Sequence, residues 1–403
     1  MIHYPSPYDT MADTLQAGNH AYEVACLIGA YNNDMTQWMH ESQIVKLTTT
    51  ESLFGSSNPC IGSAVSRQLN LSAYVGYYID TPSTIYFDRA VWLATRIVDT
   101  DDPSTKTAWF TQGPWIEQKR QYDPMTGVLT LTAFDTMADS DTEYMLIEED
   151  ATNTYYRQCF RDGATTATAQ DVFADIAGIL GLSGVSSRAV AAITAAGNPT
   201  VNRPDDTTTM RDIMRWIAGI CAGAAMVKWH ETTLGTLDIV PFNFAGELVT
   251  LGSKTGSLRI GGRSHVSDYW DVCYETDDGD VYSNHSVGQH TQMVTTRFQM
   301  QNPLGTQAIA DHALSVIRTR GDGLSTPWTY NGFQARDALL DIRAEVGDRI
   351  SISFPDATGA TEGFTGVIGE IQRTYDRACV ANVSAPELAR KTRGFYDYVE
   401  DDE

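Results

Sequence analysis

The sequence predicts a mainly β protein in which a small α/β insert separates two antiparallel, barrel-like β regions. Three observations support this fold class. Short stretches of alternating apolar and polar residues dominate the first third of the chain and return in the last third. Two helical patterns with the same capping residues lie between them. The length of 403 residues is ample for several packed domains.

The first β region contains the clearest strand patterns. Residues 68–75 alternate between apolar and polar types, and residues 84–98 are rich in β-branched and aromatic types. Residues 115–121 and 128–134 flank the segment 122–127, whose Pro and Gly favour a tight turn, so this pair is predicted to be a hairpin. Several strands at short intervals indicate a closed or half-closed antiparallel barrel.

The insert begins where the apolar residues change from alternating spacing to helical spacing. Thr168 and Asp171 can form a capping box ahead of an apolar stripe, and Thr209 and Asp212 repeat the pattern 41 positions later. Two interpretations stay open: two helices that meet the same packing requirement, or a duplicated structural unit. A hairpin predicted over residues 224–240 completes a small α/β module.

The last third is again predicted to be rich in strands. The expected elements are strands over 269–275 and 281–283, a helix over 307–320, and strands over 349–354, 365–375 and 378–384. The predicted divisions of the chain are an N-terminal arm and strand (1–35), a first barrel (36–160), the α/β insert (161–250), a second barrel with one helix (251–390) and an acidic C-terminal tail (391–403).

The charge balance excludes some functions. Acids outnumber bases by 51 to 28, which gives a formal charge of −23. A surface this acidic disfavours a broad nucleic-acid-binding face and docking on anionic lipid, because both need clustered Lys and Arg. Six cysteines are too sparse for a disulfide scaffold, so we expect buried free thiols and folding in a reducing cytoplasm. We also expect no signal peptide and no membrane span.

No catalytic signature is present in the sequence. Metalloprotease, serine-hydrolase and phosphate-loop motifs are all missing, so we predict no catalytic residue, no cofactor and no metal site. Aromatic residues leave one alternative open. Trp92, Trp109 and Trp115 could form a platform for carbohydrate, although core filling and subunit contacts explain such rings equally well.

A series of short motifs follows in order along residues 15–385. They are a short N-terminal strand region (15–18, then 22–31), residues 61–64, the alternating 68–75, the stretch 110–116, the D-x-x-T-G turn with its strands over 123–135, the helices 168–181 and 209–223, and the segments 308–320 and 346–352. This order resembles the tail hub, or baseplate hub, proteins of tailed phages and of related contractile injection machines.

The resemblance implies a non-enzymatic virion protein, assembled in the host cytoplasm and located in the tail tip or baseplate. It implies a homotrimer whose paired barrels form a pseudo-sixfold ring. This ring would join the tail tube or distal tail protein to tip, spike or fibre proteins, with no membrane binding by this chain. Genome DNA would pass through its lumen without sequence-specific binding. Gly113, Asp135, Gly347 and Asp348 would be structural turn residues rather than a site.

Two further expectations follow from this resemblance. An acidic lumen would repel DNA and lower the friction of its passage, although solubility before assembly explains the acids equally well. Because Glu403 follows soon after the last predicted strand, we expect no lysozyme, peptidase or long fibre extension. The alternatives are a tail-associated carbohydrate-binding or glycan-cleaving protein and a hub of a contractile injection particle.

Overall fold

The structure is a computed structural model, and it describes the greater part of the chain. The described residues are 8–29, 31, 34–53, 60–75, 90–145, 159–160, 164–229, 235–242, 248–251, 258–260, 263–265, 269–287, 295–321, 328–330, 332–336, 340–355, 361–375 and 380–384.

Strands outnumber helices among these residues. The helices are α1 (Tyr8–Ala17), α2 (Ala169–Ile179), α3 (Ser187–Ala195), α4 (Met210–Ile220) and α5 (Gln307–Gly321). The strands of the first half are β1 (His20–Ile28), β2 (Met39–His40), β3 (Ile44–Ser52), β4 (Ser63–Ala64), β5 (Gln68–Tyr74), β6 (Ala90–Asp99), β7 (Phe110–Asp123), β8 (Val128–Phe134), β9 (Thr166–Thr168) and β10 (Thr200–Asn202). The later strands are β11 (Gly223–Lys228), β12 (Thr236–Pro241), β13 (Leu248–Thr250), β14 (Leu258–Ile260), β15 (Arg263–His265), β16 (Tyr269–Glu275), β17 (Val281–Val287), β18 (Thr295–Gln301), β19 (Trp328–Tyr330), β20 (Gly332–Ala335), β21 (Arg349–Pro355), β22 (Thr361–Val367), β23 (Glu370–Thr374) and β24 (Val380–Ser384).

One large antiparallel sheet dominates the described fold. Its strand order is β14-β20-β24-β23-β3-β5-β8-β7-β6-β1-β2. The mainly β fold class is confirmed, and the sheet curls into a half-barrel. Strand β23 pairs with β3, so strands from the two ends of the chain share this sheet. The two β regions of the sequence are therefore continuous through hydrogen bonds.

The inward face of this sheet is apolar because its strands alternate. In β5, Leu69, Leu71 and Ala73 are fully buried, while the residues between them are half-buried. The predicted hairpin is confirmed: β7 and β8 pair across the turn, with Leu129 and Leu131 facing the same core. Period-two alternation thus places one apolar layer under five or more strands.

The predicted α/β insert is built around α2 and α4. Thr168 caps α2 by accepting a hydrogen bond from the Asp171 amide. Thr209 and Asp212 form a full reciprocal capping box at the start of α4. Ile217 of α4 is fully buried in the core that α2, α4 and the β11–β12 hairpin share.

Three features differ from the sequence expectations. The segment 15–18 was expected to belong to a strand region, but residues 15–17 form the end of helix α1. Ala12 and Leu15 of this helix pack into the core. Helix α3 was not predicted because its cap, Ser186, has no acidic partner three residues later. The strand expected over 365–375 is two strands, β22 and β23, divided at Ile368.

The remaining expectations either agree with the structure or concern residues outside the described ranges. The helix expected over 307–320 is α5, and strands β16, β17 and β24 occupy their expected positions. Residues 84–89 and the acidic tail lie outside the described residues, and the domain boundaries stay predictions. The five cysteines among the described residues are free thiols, of which Cys26 and Cys221 are buried. In the part of the chain that is described, no helix has both the length and the apolarity to cross a membrane.

Candidate functional site

Six ionisable side chains lie buried where the strands from the two ends of the chain meet. We call this cluster the ionic junction. Each member is at most 5% exposed to solvent. Its members are Glu51, Arg67, Asp135, Glu345, Asp348 and Arg373. Burial of so many charges is costly unless they are paired, so their contacts decide what the junction does.

Glu51 stands between the two arginines of the junction. Its Oε1 lies 3.1 Å from Nη1 of Arg373, and its Oε2 lies 3.7 Å from Nε of Arg67. Arg67 reaches further, with Nη2 3.2 Å from Oε1 of Glu345. Arg373 also donates a hydrogen bond to the carbonyl of Ala344. The two guanidinium groups therefore connect β3, β23 and the segment before β21.

Two stacked tryptophans lie next to the guanidinium group of Arg67. Its guanidinium carbon lies 5.7 Å from the ring centroid of Trp229, which follows β11. Trp229 packs in turn on Trp115 of β7, with ring centroids 5.7 Å apart. Because a cation is attracted to the face of an indole ring, this stack favours the charged form of Arg67 within the core.

Asp135 enters the junction from the end of strand β8. Its Oδ1 accepts a hydrogen bond from the Met137 amide and so caps a 3-10 turn over Thr136–Asp141. Its own amide donates to the Arg67 carbonyl over 3.1 Å. Its Oδ2 is buried without a hydrogen-bond partner. Burial raises the pKa of Asp135 to about 7, against the opposing attraction of Arg67.

Asp348 lies in the turn that leads into strand β21. Its Oδ2 accepts from the Glu345 amide over 2.9 Å, and its carbonyl accepts from the Ile368 amide over 2.8 Å. Burial, together with the nearby Glu345 carboxylate, raises the pKa of Asp348 to about 6. Gly347 precedes it at φ +89°, and a Cβ there would lie 3.1 Å from Cγ1 of Val240. Backbone conformation and space both favour glycine at this turn.

Gly113 lies apart from the junction, within strand β7. Its φ is +142°, and a Cβ at this position would lie 2.8 Å from Cε3 of Trp92. Of the four turn residues singled out in the sequence, Asp135 and Asp348 thus belong to the junction and Gly347 adjoins it. Gly113 instead lets β7 pass closely over an indole ring.

The other charged members of the junction were not among the residues predicted from the sequence. A signal for them existed in the strand pattern. Glu51 lies two positions after the buried Thr49, and Arg373 lies two positions after the buried Ile371. A charged residue at an inward position of an alternating strand indicates a buried pair.

A third buried arginine extends the junction toward the N-terminal helix. Arg343 Nη2 lies 2.7 Å from Oδ2 of Asp341 and 2.7 Å from Oδ1 of Asp13 in α1. The hydroxyl of Tyr22 donates to the Leu340 carbonyl over 2.6 Å. Residues 340–348 thereby contact α1 and β1 directly, and they are linked to Glu51 of β3 through Arg67 and Arg373.

The composition of the junction favours a structural role. Four carboxyl groups face two guanidinium groups, which matches the raised pKa of Asp135 and Asp348. The arginines contact carboxylates and carbonyls of the chain itself, so the junction clamps chain segments together. Among the described residues, no group of three or more His, Cys, Asp or Glu side chains is arranged to hold a metal ion.

The three tryptophans of the carbohydrate alternative do not form one platform. Trp115 is buried in the main core, whereas Trp92 and Trp109 lie on the opposite face of the sheet. Arg96 stacks on Trp109 at 4.2 Å from the ring centroid. Tyr31 contacts Trp92 with ring centroids 4.8 Å apart. The rings of Trp92 and Trp109 are thus already in contact with other side chains of the protein.

Comparison with known proteins gives structural matches alone. A scan against protein-family models finds no match, and a search of curated proteins finds none either. The fold is similar to the tail protein from Neisseria meningitidis MC58, with 11% identity, coverage of 91% of this chain and 97% of that chain, and a TM-score of 0.47. It is also similar to the 43 kDa tail protein of prophage MuSo2 from Shewanella oneidensis, with 12% identity, coverage of 91% and 98%, and a TM-score of 0.48.

A third similar structure is prophage tail protein gp18 from Listeria monocytogenes EGD-e. It shares 9% identity, with coverage of 92% of this chain and 95% of that chain and a TM-score of 0.43. All three structural neighbours are tail proteins by name.

Proposed function

We propose that this chain is a structural hub protein of a phage tail rather than an enzyme. Three copies form a ring that joins the tail tube or distal tail protein to the tip, spike or fibre proteins. The ring surrounds the path of the genome DNA and contacts it without sequence specificity. The protein resides in the tail tip or baseplate of the virion after assembly in the host cytoplasm.

One observation carries this proposal. The motifs on which the hub resemblance rests lie far apart in the sequence, yet two of them converge on the ionic junction. Asp135, which closes the D-x-x-T-G hairpin segment, contacts the Arg67 backbone. Asp348, from the V-G-D segment, bonds the amide of Glu345, whose carboxylate pairs with Arg67. These residues therefore support the architecture rather than a reaction.

The mechanical demands of a tail favour such a core. A component that joins a tube to a tip has to hold its shape while its neighbours assemble on it and while DNA passes. Hydrogen-bonded strand pairing and buried ion pairs both fix the relative position of distant segments. In this chain they act on the same strands, because Glu51 of β3 and Arg373 of β23 pair across the strand contact.

The mass of the protein in solution tests the trimer. We expect light scattering after size-exclusion chromatography to give about 133 kDa, three times the chain mass of 44.3 kDa. Electron microscopy of particles assembled with the untagged chain and with a chain carrying a compact tag tests the location. Extra density at the tip is expected, and density elsewhere in the particle would contradict the hub.

The acidic character of the chain fits a conduit. With 51 acids against 28 bases, a ring of three copies is strongly negative, and a negative lumen repels the DNA backbone. Conductance of reconstituted tails tests this, because an acidic lumen selects cations over anions. Equal permeability to both would assign the acids to solubility instead.

A further inference from the structure

The large sheet has an outer face, opposite its apolar core, with an uncharged row of residues across its middle. A row of directly paired residues crosses eight strands, from β20 to β6, without one ionisable side chain. The members are Gln334, Asn382, Gln372, Thr50, Gln68, Phe134, Ile116 and Ala90. In a chain that carries a formal charge of −23, this row is an exception.

Two parallel rows extend the same face. The second row contains Thr374, Thr48, Asn70, Thr132 and Lys119, and the third contains Lys46, Ser72, Thr130 and Gln121. Neither row contains a carboxylate. Arg259 on edge strand β14 lies directly beside Gln334. The middle of the described part of this face therefore carries lysines and no carboxylate. Carboxylates lie at its borders: Glu370 on β23, Asp123 on β7, and Glu23 on β1, which pairs with Arg96.

An aromatic cluster continues the outer face over β6, β1 and β7. Trp92 and Trp109 are half-buried there, and Tyr31 is 46% exposed. Arg96 lies over the Trp109 ring and pairs with the carboxylate of Glu23. Trp, Tyr and Arg are the residue types that carry most of the binding energy of protein interfaces, whereas acidic residues are depleted from interface centres.

We propose that this outer face is the surface on which a second copy of the chain docks. The contact is head-to-tail: the outer face of one copy meets a different, acidic surface of the next. Such heterologous contacts close into rings, so the inference rests on the ring of the proposed function.

The charge of the chain is the argument that the docking partner is a second copy. Two copies that each carry −23 repel one another across most orientations, and that repulsion is weakest where one partner presents a region without carboxylates, such as the three central rows. Lys46 and Lys119 are exposed on this face and attract an acidic partner surface. The nearest carboxylate on strand β23 is Glu370, which lies one row beyond the uncharged one.

A charge-insertion experiment on the full chain tests this surface. Gln372 is exposed in the middle of the uncharged row, so Gln372→Glu places a carboxylate there without disturbing the core. Ala191→Glu is the matched control, because Ala191 is exposed on α3, away from the sheet. Sedimentation velocity over a range of concentrations measures self-association, and circular dichroism melting verifies that each variant is folded.

We expect Gln372→Glu to weaken self-association at least 10-fold, Gln372→Lys to leave it unchanged or strengthen it, and Ala191→Glu to match the parent chain. Raising the salt concentration should reduce the difference between the two Gln372 variants. A stable trimer that ignores all three changes would overturn this docking face while leaving the ring intact. A parent chain that stays monomeric at every concentration would overturn the inference. Electron microscopy of particles with the tagged chain would still test the location in the tail independently.

Discussion

The ionic junction and the helical insert are buried to a similar degree by opposite chemistry. The insert fills its interior with apolar side chains such as Ile176, Ile213 and Ile217, all inaccessible to solvent. The junction fills its interior with carboxylates and guanidinium groups. Apolar packing depends on volume, whereas a buried ion pair depends on partner, distance and protonation. The two regions should therefore respond differently to the same kinds of perturbation.

Removal of the central arginine should have the largest effect. Arg67→Ala leaves the carboxylates of Glu51 and Glu345 buried with one partner fewer. We expect the free energy of unfolding to fall by about 3–5 kcal/mol, measured by urea denaturation with circular dichroism. The matched control is Arg297→Ala, because Arg297 is 64% exposed in its pair with Asp271. That change should cost less than about 1 kcal/mol, and equal losses would contradict the distinction.

A cavity in the insert should cost almost as much, but without dependence on pH. Ile217→Ala removes buried methyl and methylene groups from the face of α4 that meets the core. We expect a loss of about 2–5 kcal/mol that is the same at about pH 5 and about pH 8. Ile217→Val, which removes one methylene group, should cost about 0.5–1.5 kcal/mol. A loss that varies with pH would show that the insert and the junction are coupled.

The junction, in contrast, should respond to pH through Asp135. Its pKa is raised by burial to about 7 from the ordinary 3.8. Between these values the folded chain holds a proton that the unfolded chain has released, so stability falls as pH rises. We expect Asp135→Asn to have little effect near pH 4 and to stabilise the protein near pH 8, by urea denaturation. A destabilisation of the same size at every pH would mean that the carboxylate stays charged in the core.

Helix capping should have the smallest effect and bears on the two helices of the insert. Thr209→Ala removes the hydroxyl that accepts from the Asp212 amide, and Thr168→Ala removes its counterpart on α2. Each change should cost about 1 kcal/mol. Thermal melting compares them, with Thr194→Ala as a control on the exposed side of α3. Losses in both variants no larger than in this control would mean that the caps contribute nothing to stability.

Local structure could be predicted from the sequence where it depends on spacing alone. Alternation located strand β5, the turn residues located the β7–β8 hairpin, and the capping boxes located α2 and α4. Helix α3 escaped because Ser186 caps it without the acidic partner that makes a capping box recognisable. Helix α1 escaped because its ten residues, YDTMADTLQA, carry only a short apolar stripe at helical spacing.

The junction could not be assembled from the sequence because its contacts span the chain. Glu51 and Arg373 are 322 positions apart, and Arg67 and Glu345 are 278 apart. Local patterns carry no information about which distant charge will meet which. Asp135 and Asp348 were recognised as turn residues, yet their burial in one cluster, with Asp135 near Arg67, could not be read from local patterns.

That pairing has a consequence for the growing polypeptide. Strand β3 ends at Ser52, but β23, which covers one of its edges, ends only at Thr374. At about 5–20 residues per second of synthesis, the edge waits roughly 15 seconds to a minute for its partner. An open strand edge is a template for pairing with any other chain. On a crowded polysome the nascent protein therefore has to be shielded, or spaced from its neighbours, until residue 374 has emerged from the ribosome.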